Sequence, residues 1–289
     1  MNVNILRLIH HVVKEPETDL RKVYKLAKKD STKINRANTM GDALEFYIKD
    51  KLCSSKLLTE AKEKKKLYEQ SFSWQGTQNH PPDIIIKKSD AIEVKKITGW
   101  TSTIALNSSQ PKQKLRINNN MLTEACRTCE SDWDEKDFAY IIGVVKKHYL
   151  RVLSIVYGDC YAAPEKVYEE LTEDIKKSLK KSVAASFETN ELGRVNKVDP
   201  SEVTSLRIRG MWQIENPLTT FSDIMPFNKE NKLNVFCLMS EEKYDSMPKK
   251  DRKLIEENDL IIVSTVKIPD PSEKNRKIKA KLIKSLLSH

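Results

Sequence analysis

Residues 83–97 contain two short runs rich in isoleucine and valine, separated by the polar stretch 87–90. This pattern predicts two β-strands joined by a tight connection. Because side chains alternate along a strand, Glu93 and Lys95 must lie on one face of the second strand. Asp83 opens the first strand, directly after two prolines. The hairpin can therefore bring two carboxylates and one lysine to the same end of a sheet.

The register of this hairpin decides whether the two carboxylates meet. A two-residue turn would place Asp83 opposite Val94 and turn Glu93 to the other face, because a shift of one residue exchanges the faces of a strand. A three-residue loop, or a bulge with the same parity, would place Asp83 beside Glu93. We predict the second register, since a shared metal ion needs both carboxylates together.

Paired carboxylates at the end of a sheet form a hard-oxygen site that suits Mg²⁺. A lysine beside them can orient or help to deprotonate water and stabilise the negative charge that develops on a phosphate. This set is sufficient for metal-assisted hydrolysis of a phosphodiester. The alternative interpretation is an exposed strand with alternating charge, and it stays open on the residues alone.

Glycine spacing and charge limit the other function classes. The seven glycines are far apart, the nearest pair being Gly143 and Gly158, so dinucleotide-binding loops, P-loops and nucleophile elbows in their standard forms are excluded. No histidine pair forms a zinc-protease motif. The 289-residue chain has a formal net charge of +10, which fits a nucleic-acid partner or a lysine-rich surface.

Hydrophobic periodicity predicts an α/β protein with a mixed sheet flanked by helices. Helices are expected early in the chain and at several later positions, and strands cluster between them. The predicted helices are 5–13, 20–28, 40–52, 164–183, 241–257 and 274–287, and the predicted strands are 83–86, 91–97, 138–145, 150–157, 206–208, 234–238 and 260–266.

Several segments together resemble the PD-(D/E)xK nuclease superfamily and, more specifically, the NgoPII-type restriction endonucleases. The resemblance covers roughly residues 35–215 and includes a distinctive late block. The matching segments are residues 35–45, 81–83, 90–96, 105–109, 156–159, 188–200 and 207–212.

The resemblance implies roles for the residues of the hairpin. Asp83 and Glu93 would be the Mg²⁺ ligands, the carbonyl of Val94 would be a further ligand, and Lys95 would be the catalytic lysine. Members of the superfamily often add an acidic residue from an earlier helix, and Glu45 is the candidate here. An ion pair between Glu45 and Lys49, four residues apart on a helix, is the alternative.

The late block is the predicted DNA-recognition segment. Arg207 and Arg209 would share a face if residues 206–208 form a strand, and arginine commonly binds guanine through O6 and N7. Arg194, Asn196 and Lys197 are expected on a loop after Gly193, as further DNA contacts. Solvated surface charges are the alternative for each of these residues.

Polar residues after the catalytic strand form a second group of candidate DNA contacts. Asn107, Ser108 and Ser109 could bind phosphate or base edges, or could form a plain turn. Lys112 and Lys114 have the same two interpretations. Cys126 and Cys129 lack a second pair for a structural zinc site. Because the number of cysteines, five, is odd and no export signal is recognised, free thiols in a reducing cytoplasm are expected.

The resemblance implies a type II restriction endonuclease that cuts double-stranded DNA at GGCC with Mg²⁺ and leaves 5′-phosphate and 3′-hydroxyl ends. A palindromic target read by one short chain implies a two-fold homodimer. The longest apolar run, residues 138–145, is far shorter than the roughly 20 residues of a membrane span, so no membrane partner is expected. A structure-selective repair nuclease or junction resolvase, and a catalytically inactive DNA-binding protein, are the alternatives.

We expect one nuclease domain over residues 1–289. Within it, residues 1–34 would form N-terminal helices and 35–160 the catalytic core. Residues 186–215 would form the recognition segment, and 230–289 the C-terminal strands and helices.

Overall fold

The structure is a computed structural model that describes residues 3–27, 39–54, 61–77, 80–182 and 191–288. Of the segments that resemble the nuclease family, residues 35–38 and 188–190 lie outside the described residues. The predicted ends of two helices, at residues 28 and 183, lie outside them as well.

A mixed β-sheet forms the centre of the molecule. The strands are β1 (Phe72–Thr77), β2 (His80–Ile86), β3 (Ala91–Ile97), β4 (Ile104–Asn107), β5 (Lys114–Arg116), β6 (Glu135–Lys146), β7 (Tyr149–Tyr157), β8 (Gly193–Val195), β9 (Leu206–Ile208), β10 (Trp212–Ile214), β11 (Leu233–Ser240), β12 (Ile262–Pro269) and β13 (Lys277–Leu287). In the described part of the chain, nine of them join in one sheet with the path β1-β2-β3-β6-β7-β11-β13-β12, and β5 pairs with β6. The pairs β3–β6 and β7–β11 are parallel.

Helices cover the sheet and precede its first strand. They are α1 (Ile5–Lys14), α2 (Leu20–Ala27), α3 (Thr39–Leu52), α4 (Ala61–Ser71), α5 (Glu124–Arg127), α6 (Glu165–Ser182), α7 (Pro217–Thr220), α8 (Glu241–Ser246) and α9 (Lys249–Glu256). Within the described ranges, no helix is both long and apolar enough to cross a lipid bilayer.

The two faces of the sheet bury different groups of side chains. Ile84 and Ile92 belong to the core formed with α1, α2 and α3. Ile85 and Ala91 belong to a second core on the opposite face, built with β4, β5 and β6. Because residues alternate along a strand, Asp83, Glu93 and Lys95 lie on the face of this second core.

The predicted fold class is confirmed, and the two predicted strand pairs correspond to β2–β3 and β6–β7. The helix predicted over residues 274–287 is wrong, because those residues contain β13, which is paired on both sides. The helix predicted over residues 241–257 is divided into α8 and α9 at Met247 and Pro248, since proline cannot donate the helical hydrogen bond. Helix α4 and strand β1 were not predicted.

Candidate active site and DNA interface

The β2–β3 hairpin has the register that a shared metal site needs. Ile84 pairs with Ile92 and Ile85 with Ala91, which puts Asp83 in register with Glu93. The Ile86 N–H donates to the carbonyl of Asp90 at 2.9 Å, so residues 87–89 form a three-residue loop, in which Lys88 takes a left-handed φ of 55°. The predicted register is therefore confirmed.

Asp83 lies where the ladder between β2 and β3 ends. Beyond Ile84, a side chain replaces the backbone partner: the Val94 N–H donates to Asp83 Oδ2 at 2.6 Å. This bond fixes the Asp83 carboxylate against the backbone between Glu93 and Lys95. The carbonyl of Val94, the further ligand implied by the resemblance, belongs to the same residue.

Strand β1 holds the chain immediately before Asp83. Trp74 Nε1 donates to the carbonyl oxygen of Pro82 at 2.9 Å. A Cβ at Gly76 would lie 2.2 Å from the same oxygen, so this close approach requires glycine. These contacts place the end of β2 before any ligand binds.

Lys95 is paired with Glu93 on the same face of β3. Its Nζ lies 2.6 Å from Glu93 Oε1. Burial favours the neutral amine, but the charge and hydrogen bond of Glu93, followed by the charge of Asp83, outweigh it and raise the pKa of Lys95. Lys95 is therefore a protonated donor in this arrangement, suited to orienting a water molecule or a phosphate oxygen.

Asp83 is the carboxylate whose ionisation the fold opposes. Burial, then the nearby charge of Glu93, raise its pKa to about 8, although the Val94 N–H and Lys95 act in the opposite direction. Glu45 also raises it. The site thus concentrates negative charge in a buried place, and a bound cation would relieve that repulsion.

Glu45 lies on α3 and interacts with both of its predicted neighbours. Its Oε1 lies 2.7 Å from Lys49 Nζ, so the ion-pair alternative describes a real contact. Its charge also acts on Asp83. The structure thus brings Glu45 near the cluster while giving it a lysine partner.

The donor set of the hairpin fits Mg²⁺. The described ranges contain no group of three His, Cys, Asp or Glu side chains arranged to hold a metal ion. Asp83, Glu93 and the Val94 carbonyl instead supply two carboxylates and one backbone oxygen. Magnesium is commonly held by one or two carboxylates, with water and substrate phosphate completing its coordination.

Lys112 is a further cation near this cluster, and its role in the sequence analysis was ambiguous. It is buried, and its Nζ contacts Ser109 Oγ and the carbonyl of Gln110. Burial lowers the pKa of Lys112, Glu93 raises it, and Lys95 lowers it, so the two lysines and Glu93 influence one another.

The backbone of Lys112 is held by Tyr140 of β6 and by Gly158, which directly follows β7. The Lys112 N–H donates to the Tyr140 hydroxyl at 2.6 Å, and that hydroxyl donates to the Lys112 carbonyl at 3.3 Å. A Cβ at Gly158 would lie 2.3 Å from the same carbonyl oxygen. Gly158, in one of the family-like segments, thus permits the close packing that positions Lys112.

Asp90, at the other end of the hairpin, anchors β3 and is not part of the cluster. Its carboxylate is buried and accepts bonds of 2.6 Å from the Tyr157 hydroxyl and from Lys243 Nζ. Lys243 Nζ also lies 2.6 Å from Asp137. This buried network ties the hairpin to β6, β7 and α8.

Arg207 lies in β9 and Arg209 directly follows the strand, and both side chains turn toward Glu191. Both Nε atoms donate to one oxygen of Glu191, at 2.6 Å from Arg207 and 2.8 Å from Arg209. The bonds from Arg209 and Arg207, in that order, outweigh burial and lower the pKa of Glu191. Because Nε is used in this way, the Nη groups are the donors that remain to contact DNA.

The other residues of the late block form a hairpin rather than a free loop. Arg194 was expected on a loop but lies on β8, opposite Arg207, because residues 193–195 pair with β9. Asn196 and Lys197 follow β8 in the connecting loop. Asn196 Oδ1 accepts from the Ser205 hydroxyl at 3.1 Å, and Lys197 Nζ lies 2.6 Å from Glu202.

A groove of about 910 Å³ joins the two groups of candidate DNA contacts. Ser108 and Lys112 line one side, Arg207 and Arg209 line another, and α6 closes a third. Asn107, with a φ of 53°, ends β4 and pairs with Trp212 of β10, and Ser109 contacts Lys112. Lys112 thus lines this groove, the candidate recognition groove, and also interacts electrostatically with Glu93 and Lys95 of the hairpin cluster.

Glu191 was not among the predicted site residues, and Lys112 was considered only as an ambiguous DNA contact, not as a neighbour of the hairpin cluster. Both come from irregular segments, and their positions depend on contacts with distant strands. The available sequence signals were an acidic residue shortly before Gly193 and a lysine after the polar residues 107–109.

Comparison with known proteins agrees with the family resemblance seen in the sequence. The NgoPII restriction endonuclease family model matches residues 3–269. The chain is 43% identical over 251 residues to the type II restriction enzyme NgoPII of Neisseria gonorrhoeae, which covers 86% of this chain and 90% of that protein. No solved structure matches the chain significantly.

Proposed function

We propose that this chain, which belongs to the NgoPII restriction endonuclease family and is a type II site-specific deoxyribonuclease, uses Mg²⁺ for cleavage. Its proposed target is GGCC in duplex DNA, cut in both strands. The cluster of Asp83, Glu93 and Lys95 at the end of the β2–β3 hairpin is the observation that carries the proposal. We further propose that residues 1–289 form one nuclease domain, acting in the cytoplasm as a homodimer.

Asp83, Glu93 and the Val94 carbonyl would hold Mg²⁺, which when bound supplies Lewis-acid stabilisation of phosphoryl charge. Glu45, beside them, adds negative charge that favours a cation there. The Val94 N–H fixes the Asp83 carboxylate, so this ligand is oriented before substrate arrives.

Lys95 acts as a protonated donor in the proposed mechanism. Its ammonium orients the attacking water in line with the departing 3′-oxygen and stabilises charge on the phosphoryl group. Lys112 supplies a second positive charge from the recognition groove. Attack at phosphorus with departure of the 3′-oxygen leaves 5′-phosphate and 3′-hydroxyl ends.

The late hairpin supplies the proposed recognition of the target. A target of G·C pairs presents guanine O6 and N7 in the major groove, which arginine binds through two parallel hydrogen bonds. Arg207 and Arg209, held side by side by Glu191, are the proposed readers of guanine. Arg194, Asn196, Lys197, Asn107, Ser108 and Ser109 are proposed as further DNA contacts, to phosphate or to bases.

Cleavage of a random duplex library with Mg²⁺, followed by sequencing of the ends, tests the function. We expect cuts within GGCC and 5′-phosphate termini that a ligase accepts directly. Cleavage set by branched structure, with no sequence preference, would instead indicate a repair nuclease or junction resolvase. Specific binding without cleavage in any divalent metal would indicate an inactive DNA-binding protein.

A further inference from the structure

Helix α6 carries an apolar stripe on its exposed side. Val167, Leu171 and Ile175 are spaced four residues apart, and their exposed fractions are 52%, 52% and 37%. Leu179 continues the stripe and lines a shallow depression together with Ile175. Apolar residues at this spacing normally face a core, and an exposed row of them marks an interaction surface.

The contacts of α6 with its own chain come from other positions on the helix. The ring of Tyr168 packs against Trp212 with centroids 5.4 Å apart. Thr172 Oγ1 accepts from Gln110 Nε2 at 3.0 Å. These contacts hold α6 against the recognition groove while Val167, Leu171 and Ile175 stay exposed.

The charges of α6 change sign along its length. Its first half is mainly acidic and its second half is basic, with Lys166 the exception. The acidic residues are Glu165, Glu169, Glu170, Glu173 and Asp174, and the basic residues of the second half are Lys176, Lys177, Lys180 and Lys181. Such a helix is complementary to a copy of itself that runs in the opposite direction.

The residues that flank the stripe show this complementarity position by position. At about 100° per residue, Glu170, Asp174, Lys177 and Lys181 fall on one side of the stripe. In an antiparallel pair related by a two-fold axis, this side faces the same side of the other copy. Glu170 then lies opposite the partner's Lys181, and Asp174 lies opposite the partner's Lys177.

We propose that α6 packs antiparallel against α6 of a second copy of this chain and forms the two-fold contact of the homodimer. An isologous contact of this kind places the same patch on both sides of the axis. The inference rests on the proposed palindromic cleavage and names the surface that the dimer uses.

The position of α6 beside the recognition groove supports this choice. Glu169, Thr172 and Lys176 line the groove from the face of α6 that turns toward it. Pairing through the apolar stripe therefore brings the grooves of both copies close to the axis. A short palindrome, whose half-sites are adjacent, requires that arrangement.

The apolar part of the surface is tested with Leu171→Asp and a matched control. Leu260→Asp changes a leucine that is 57% exposed on the segment before β12. Sedimentation velocity over a concentration series should show a dimer dissociation constant raised roughly tenfold or more for Leu171→Asp, because a charge replaces a leucine that the proposed dimer buries. Leu260→Asp should dimerise as the wild type does, and thermal melting should show both variants folded.

The charged flank is tested by mixing two variants. Glu170→Lys/Asp174→Lys makes the flank entirely basic, and Lys177→Glu/Lys181→Glu makes it entirely acidic. Each variant alone should dimerise at least about tenfold more weakly than wild type, since like charges then face each other. An equimolar mixture should recover a dimer containing one copy of each, which interactions within one helix cannot explain.

Several outcomes would overturn the interface. The wild-type chain could be monomeric with and without DNA, or Leu171→Asp could dimerise as tightly as wild type. Leu260→Asp alone could lose the dimer, or the mixture of the two charge variants could fail to associate. If the wild type still cuts its palindrome in those cases, the proposed function stands without this surface. If the variants behave as expected but no duplex is cut, the interface stands and the proposed function fails.

Discussion

Because Asp83 is buried beside Glu93, ionisation of its carboxyl group destabilises the folded, metal-free protein. The pKa of Asp83 is raised to about 8 by burial first and by Glu93 second. A carboxyl whose folded-state pKa is raised stabilises the fold most at low pH, where it is protonated. That contribution is lost as the pH rises from the unfolded value of about 4 through about 8.

Asp83→Asn should therefore raise the melting temperature of the metal-free protein while abolishing cleavage. The amide carries no charge and its oxygen can still accept the Val94 N–H. The gain over wild type should be small at pH 5, larger at pH 7 and largest near pH 9, measured by thermal melting with a chelator. Asp223→Asn, at an exposed carboxylate, is the control and should show no such trend. A gain that is equal at all three pH values would contradict the assigned burial of charge.

Lys112 should contribute to the rate rather than to folding. Lys112→Met keeps the length of the side chain and removes a buried positive charge that has no carboxylate within salt-bridge distance among the described residues. We expect kcat to fall by roughly 10²-fold, as for loss of one donor to a developing oxyanion, with DNA affinity changed little. The melting temperature should be unchanged or higher, since burying a charge is unfavourable.

Lys114→Met is the matched control for Lys112, because Lys114 pairs with Asp137 and lines the same groove. Its kcat should stay close to that of wild type. A large fall in melting temperature for Lys112→Met would instead indicate that Lys112 has a structural role.

At the scale of elements, the β8–β9 hairpin concentrates the proposed recognition chemistry. Arg207→Ala or Arg209→Ala should cost about 1–3 kcal/mol of binding and relax discrimination at one base pair if the arginine contacts a base. A phosphate contact should weaken binding to all sequences alike and reduce the salt slope by about one. Affinities for all single-base variants of the target, at several salt concentrations, separate the two roles.

Glu191→Gln supplies the test of shared positioning. Glu191 accepts from both arginines, so this change should relax discrimination at both base pairs, whereas each arginine variant affects one. Arg276→Ala removes an exposed arginine near β13 and should leave discrimination unchanged. If Glu191→Gln binds every sequence as wild type does, the arginines do not depend on this carboxylate.

The elements of the active site were predictable because they depend on local pattern. Runs of isoleucine and valine predicted β2 and β3. The register that places Asp83 beside Glu93 was predicted because a shared metal ion needs both carboxylates, since the residues of the connection allow either parity. Strand β13 was missed because Lys, Ala and Leu are good helix formers, yet Lys277, Lys279 and Lys281 alternate with apolar residues as in a strand. Pairing with β11 and β12 along its length overrides the helical preference.

Site residues carried by irregular segments could not be predicted in the same way. Lys112 reaches the cluster because Tyr140 and Gly158 hold its backbone, and these residues lie far along the chain. Glu191 binds two arginines only after β8 and β9 pair. Neither arrangement leaves a periodic signal in the sequence.

At the scale of the whole molecule, a palindromic duplex presents two scissile bonds related by a two-fold axis, while each chain carries one hairpin cluster. A homodimer should therefore cut each strand with a different subunit. Lys95→Ala should abolish cleavage by its own subunit and leave DNA binding largely intact, because the lysine acts on the water and the transition state. Replacing Lys95 in only one subunit of the dimer should therefore abolish the cut in one strand and leave the cut in the other.

A dimer with one wild-type and one Lys95→Ala subunit, isolated through two different affinity tags, should nick supercoiled plasmid and form almost no linear DNA in one binding event. The wild-type dimer should form linear DNA under the same conditions, and the Lys95→Ala dimer should do neither. Primer extension along each strand of the nicked product, without ligation, would show a stop at the site on one strand only. Linear DNA from the mixed dimer at the wild-type rate would mean that one cluster serves both strands. Near-normal turnover by the Lys95→Ala dimer would remove Lys95 from the mechanism, because alanine has no ammonium group to act on the water or the phosphate.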